Sequence, residues 1–127
     1  MYILPSLMPD KLRSVDHLLP LKPKVLHLLL ALADGPRHGY SIMLEVTERT
    51  GGHVRLWPAA LYGLLRELEK TDLIEESSHR PAADDDERRR YYQLTPLGRR
   101  ALDAEVRRLE TIVHQARASR ALRKART

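Results

Sequence analysis

Cysteine is missing from all 127 residues, which removes disulfides and thiolate metal sites and fits a reducing compartment. No apolar run approaches the roughly 20 residues of a helical membrane span, so no membrane association is expected. The opening MYILPSLMPDK has no basic stretch before its short apolar patch and no small-residue cleavage site. No signal peptide is therefore expected, and a cytoplasmic location is the default expectation. Catalytic signatures are equally scarce. The histidines are His17, His27, His38, His53, His79 and His114, and no two stand at a metal-ligand spacing such as HExxH. There is no phosphate-binding glycine loop, no dinucleotide fingerprint and no serine in a nucleophile elbow. The acids Asp84, Asp85, Asp86 and Glu87 are consecutive, without the alternating spacing of a calcium loop, and read as a solvated loop. The expectation is a protein that is not an enzyme and that carries no cofactor and no metal.

What is present suits one small domain with an appended element. Apolar residues make up 43%, enough for a core, and charged residues 31%. Lysine plus arginine number 22 against 17 acids, giving a net charge of +5 and an isoelectric point near 9.8. That excess favours a polyanionic partner without specifying one.

The chain is organised around a helix expected at Pro58–Thr71. Leu61, Leu64, Leu65 and Leu68 fall on one stripe of a 3.6-residue period and bury easily. The opposite face carries Ala59, Tyr62, Gly63, Arg66 and Lys70: small residues first, then an aromatic and an arginine one turn apart. Pro58 suits the first turn, where its missing N–H has no partner to lose. An uncrowded helix end with Tyr62 and Arg66 projecting together fits a DNA major groove, where arginine reads guanine edges. An ordinary amphipathic surface helix has the same pattern, so the neighbouring elements decide.

Residues 1–22 contain Pro5, Pro9 and Pro20 and read as an irregular arm with a helical turn around Lys11–Leu19. Arg13 and Lys22 are either phosphate contacts or plain solvated charges. Pro23 opens VLHLLLALADG, apolar nearly all round and so a mostly buried helix, stopped by Gly35-Pro36. His27 reads as a packed or edge residue. A second helix is expected over Gly39–Thr50, with Ile42, Met43 and Val46 inward and Glu45, Glu48 and Arg49 in water; Gly51-Gly52 end it. An extended stub at His53–Leu56 follows, and Trp57 reads as a packing residue that fixes the entry angle of the next helix.

After Thr71-Asp72 the period changes. Leu73–Ser77 and Arg90–Thr95 are short β-compatible runs around the charged loop SHRPAADDDERRR, a hairpin with a long tip. Three helices and then a hairpin form the winged helix–turn–helix order, with the Pro58 helix in the recognition position. The expected fold class is mainly α with a small β-hairpin. It divides into an arm at 1–22, a winged helix domain at 23–95 and a C-terminal dimerisation helix with a basic tail at 96–127.

That last helix is capped by Thr95, with Pro96 in its first turn. Leu102, Val106, Leu109, Val113 and Ala116 are spaced four, three, four and three, a heptad seam widened by Leu97 and Ile112. Pro96–Leu122 as one helix would extend roughly 40 Å, too long to fold wholly over one small domain, so a second copy is the expected partner. Arg117, Arg120, Arg123, Lys124 and Arg126 make the tail basic.

Three segments together resemble the PadR family of bacterial transcriptional regulators: LLLALADGPRHGYSIMLEVTERTGG, VRLWPAALYGLLRELEKTDLIE and RRRYYQLTPLGRRAL. The resemblance covers roughly residues 24–105 and is closest to the compact branch with one short C-terminal helix. It implies a homodimer that binds double-stranded operator DNA at a pseudo-palindromic site, usually as a repressor, and in many members responds to a small hydrophobic or aromatic effector. By position it places His38, Gly39 and Tyr40 near the phosphate backbone, although Tyr40 reads equally well as a core-edge residue. Ala59, Tyr62, Arg66 and Lys70 fall on the recognition helix and Arg88, Arg89 and Arg90 in the wing. The seam Leu102, Val106, Leu109, Ile112, Val113 and Ala116 is the expected dimer contact. The acids of the wing tip depart from this pattern, because they would repel phosphate; the tip is expected to be disordered or to turn outward. The competing reading is a winged-helix protein–protein adaptor without specific DNA binding. It predicts an apolar patch on the outer face of the Pro58 helix.

Overall fold

A computed structural model describes residues 14–80 and 88–125 of the chain. The first residues of the helical turn expected around Lys11–Leu19, the role of Arg13, the acidic run at 84–87 and Arg126 lie outside the described residues. A 3-10 turn at Asp16–Leu18 leads into α1 (Pro23–Ala31), β1 (Arg37–His38), α2 (Gly39–Arg49) and α3 (Pro58–Lys70). Then come β2 (Ile74–Ser77), β3 (Tyr91–Leu94), α4 (Pro96–Ala118) and α5 (Arg120–Ala125). The core joins Leu28 and Leu29 of α1, Ile42 and Val46 of α2, and Leu61, Leu65 and Leu68 of α3 to Ile74, Leu97 and Ala101. The leucine stripe read from the Pro58 helix is therefore its buried face.

Four expectations need correction. The hairpin is part of a three-stranded antiparallel sheet in the order β1-β3-β2. Its extra strand is the dipeptide Arg37–His38, paired to Tyr92 and Tyr91 and too short for a periodic signal. His53–Leu56 forms no strand. It is an irregular link tied to the end of α2, where the Thr50 hydroxyl accepts from the Val54 N–H (3.0 Å) and donates to the Val46 carbonyl (2.9 Å). Trp57 is 65% exposed and does not pack inward; the buried Leu56 beside it takes that role. Finally, the last helix does not run to Leu122. Ser119 adopts an extended conformation (φ −68°, ψ 127°) after Ala118, which separates a short α5.

Both ends of the α2–α3 pair are closed by the same device. Gly51, at φ 58°, donates to the Glu48 carbonyl and Gly52 to the Thr47 carbonyl, the paired bonds of a left-handed helix stop. Asp72, at φ 65°, repeats this after α3: its N–H donates to Glu69 and that of Leu73 to Leu68. The Thr95 hydroxyl then donates to the Asp72 carbonyl (2.5 Å) and accepts from the Gly98 N–H (2.9 Å), so one side chain caps α4 and holds the end of α3. Gly98 packs so tightly there that a Cβ would overlap the Leu73 carbonyl oxygen.

Arg37 binds α1 to α2. Its Nε donates to the Ala31 carbonyl (2.8 Å), one terminal nitrogen to the Ser41 hydroxyl (2.9 Å), and the other lies 3.6 Å from Glu45. Along α4 the heptad seam divides. Leu102 is buried in the core of its own chain, Val106 packs partly against that core, and Ile112 and Val113 are each 46% exposed. Glu105 stands between the two halves, almost wholly buried. Its carboxylate accepts from the Leu21 N–H (2.6 Å) and from Arg108, and these partners, Arg108 first, hold its pKa below the usual 4.5 despite burial.

Two outcomes follow from these contacts. Gly98→Ala should destabilise the fold by about 1–3 kcal/mol, because the methyl displaces backbone rather than a pliable side chain; thermal melting measures it. The Glu105 contact, with a folded pKa below the unfolded value, contributes stability that is complete above the unfolded pKa and is lost as pH falls through the folded one. Glu105→Gln should therefore flatten the acid limb of the stability profile, followed by circular dichroism.

Candidate nucleic-acid interface

Three elements that are distant in sequence meet around a cleft of about 340 Å³, lined by His38, Gly39, Tyr40, Tyr62, Arg88, Arg89, Arg90 and Tyr92. His38 is the N-cap of α2: its Nδ1 accepts from the Ser41 N–H at 3.2 Å, which leaves the proton of the neutral ring on Nε2. Its ring also meets Tyr91 edge-on, with centroids 5.3 Å apart. Gly39 lies under Tyr62, and a Cβ there would touch both the ring and the hydroxyl at 3.5 Å. α3 thus crosses the start of α2 through this aromatic side chain. Tyr40 and Tyr62 remain 58% and 50% exposed, so Tyr40 is a surface residue and not part of the core edge.

The wing contributes the charge. Arg88, Arg89 and Arg90 are exposed, and the Arg89 carbonyl accepts from a terminal nitrogen of Arg80, in the loop after β2, at 2.7 Å. The Arg80 guanidinium also stands over the Tyr91 ring, 5.3 Å from its centroid. Tyr92 is buried at the floor of the cleft. Burial raises its pKa and nearby Glu69 adds to this, while a hydrogen bond from Arg90 opposes it. Its hydroxyl therefore stays protonated. Among the described residues, no acidic side chain lines the cleft. Guanidinium forks, phenolic hydroxyls and a histidine around a concave surface make an anion receptor suited to phosphodiesters.

The structure brings together seven of the expected contact residues and leaves three outside. Arg66 and Lys70 are exposed on the outer face of α3 but line a separate shallow groove with Gly63, Glu67 and Glu69. Ala59 is exposed and lines neither. Tyr92 and Arg80 were missed by sequence reasoning. Tyr92 stands in the strand next to the arginines, but alternation alone does not tell a floor residue from a core one. Arg80 lies in a charged loop without periodicity.

A family model described as the transcriptional regulator PadR-like family matches residues 26–104. The chain belongs to this family. PadR members are transcriptional regulators, not enzymes. An uncharacterized 37.1 kDa protein in transposon TN4556 of Streptomyces fradiae is 43% identical over 82 residues, 61% of this chain and 20% of that protein. The chain thus spans about a fifth of that relative's length. A PadR family transcription regulator from Clostridium difficile R20291 superposes with a TM-score of 0.57 at 26% identity, covering 72% of this chain and 94% of that one. Bacillus subtilis PadR in complex with operator DNA has the same fold: its TM-score is 0.56 at 21% identity, over 68% of this chain and 48% of that one. No helix among the described residues is long and apolar enough to cross a membrane.

The cap is directly testable. His38→Ala should cost about 0.5–2 kcal/mol through loss of the N-cap acceptor, and His38→Asn, which retains one, should recover most of it in thermal melts.

Proposed function

We propose that this PadR-family chain is a sequence-specific DNA-binding transcriptional regulator that acts as a homodimer on a pseudo-palindromic operator. The observation that carries the reading is the cleft in which the start of α2, Tyr62 of α3 and the wing arginines face one volume. In a helix–turn–helix, the second helix enters the major groove while the first meets the backbone. Here α3 would present Tyr62, Arg66 and Lys70 to the bases and sugars. His38, Gly39, Tyr40 and Arg88–Arg90 would take phosphates on either side. Glu67 and Glu69, beside Arg66 and Lys70, would keep that face from binding every sequence alike, because a carboxylate near phosphate is tolerated only in the right register. Beyond its first turns the outer face of α3 is charged, with Arg66, Glu67, Glu69 and Lys70 exposed, which favours a DNA contact over an adaptor.

The exposed distal seam of α4, centred on Ile112 and Val113, supports the dimer. Two copies related by a twofold axis would set their recognition helices about 34 Å apart. A dimer seated across a promoter excludes polymerase sterically, so the proposed sign is repression.

Selection of bound fragments from a random-sequence library, followed by gel shifts across a salt series, tests this reading. The expected winner is palindromic. Arg66→Ala should relax base preference by about 1–3 kcal/mol. Arg89→Ala should instead weaken all sequences similarly and reduce the salt slope by about one. Enrichment of no site, or binding indifferent to salt, would refute the regulator reading. Sedimentation of Ile112→Glu as a monomer, against a dimeric parent, would locate the seam; a monomeric parent would remove the paired-site arrangement.

A further inference from the structure

A second groove, of about 480 Å³, lies between the far end of α2 and the start of α3. Met43, Leu44, Leu56 and Trp57 give it an apolar lining, and Glu48 and Arg55 flank it. Trp57 is 65% exposed and Leu44 50%, a large apolar display for the N-cap of a helix and its neighbour. The folded core does not need it, because Leu56 already fills the interior at this turn. The groove neighbours the cleft described above: Tyr40, which lines that cleft, and Leu44, which lines this groove, are both exposed and one turn apart on α2.

We infer that Trp57 is a specificity-determining residue whose indole packs on the 5-methyl group of thymine in the major groove. The inference rests on the DNA-binding reading above and adds a base to it. The residues at the N-terminus of a recognition helix are those that reach base edges, and Trp57 immediately precedes the first turn of α3. Apolar side chains recognise thymine through its methyl group, the one apolar feature that a base pair shows in that groove. Glu48 and Arg55 flank the groove with opposite charges, so its apolar lining rather than a net charge selects the occupant. A methyl group has no charge to repel, and the indole, Leu44 and Met43 together offer it a dry contact.

Trp57 is the only tryptophan in the chain, so the full-length protein reports on it without labelling. The probe is a duplex selected from the random library, with each thymine replaced in turn by deoxyuridine, which removes only the methyl group. Wild-type affinity should fall about three- to five-fold at one or two thymines per half-site, the order expected for one buried methyl. Trp57→Ala should bind the thymine and deoxyuridine duplexes equally at those positions, with an unchanged melting temperature. Trp57→Phe should keep part of the discrimination. Tryptophan emission should shift on binding.

Methyl removal that costs the same in wild type and Trp57→Ala at every position would overturn the inference, as would emission that stays constant while gel shifts show binding. In both cases salt-sensitive, Arg66-dependent binding would leave the regulator reading standing. A Trp57→Ala protein that changes sedimentation but not thymine discrimination would make the groove a self-association face and refute the assignment. Failure of the wild type to select any duplex would remove inference and reading together.

Discussion

The close approach of Gly98 to the Leu73 carbonyl sets how α4 meets the end of α3, and the rest of the molecule depends on that junction. It leaves no room for a methyl group, so the choice of residue is steric. Thr95 completes it by donating to Asp72 and accepting from Gly98, which uses one hydroxyl to satisfy two helix ends at once. Asp72 supplies the left-handed residue that turns the chain out of α3. At the opposite end, the Gly51-Gly52 stop and the Thr50 bonds to Val46 and Val54 hold the link into α3. A helix stapled at both ends presents its outer face in one orientation, which a base-reading surface requires.

The cleft follows from this rigidity. Clustered arginines repel one another, so their placement needs support from the fold. One such support is Arg80, which donates to the Arg89 carbonyl. A guanidinium whose backbone is already held by the fold needs less reorganisation when a polyanion binds.

Much of this was legible in the sequence for identifiable reasons. The α3 stripe, the Gly51-Gly52 stop and the Thr95 cap each rest on a strong local rule, and each appears where that rule puts it. The two-residue strand β1 was not legible, because pairing with β3 is a tertiary event and Arg37–His38 carries no period. Trp57 was misread for a related reason. A lone aromatic before a helix is usually a packing residue, and nothing in the local pattern shows that Leu56 already occupies the interior. Among the candidate contacts, position on a helix was readable, but which contacts share a volume was not. Arg66 and Tyr62 are one turn apart, yet they line different grooves because the wing closes over only one of them.

The division of α4 connects these features. Its first half is core: Leu97, Ala101 and Leu102 are buried against the helices of the same chain. Its second half exposes Ile112 and Val113. Glu105 marks the boundary, and its bond to the Leu21 N–H ties α4 to the segment ahead of α1 as well. A buried carboxylate is poorly suited to swing or slide, since any displacement strips it of its donors. The distal half of α4 therefore projects from the domain as a stiff lever whose base is locked to α3 through Gly98 and to the N-terminal segment through Glu105. In the proposed dimer, a tilt between the two distal halves has no soft joint in which to dissipate before it reaches α3. The angle at the seam then sets the spacing of the two recognition helices, and with it the length of operator that the pair can read.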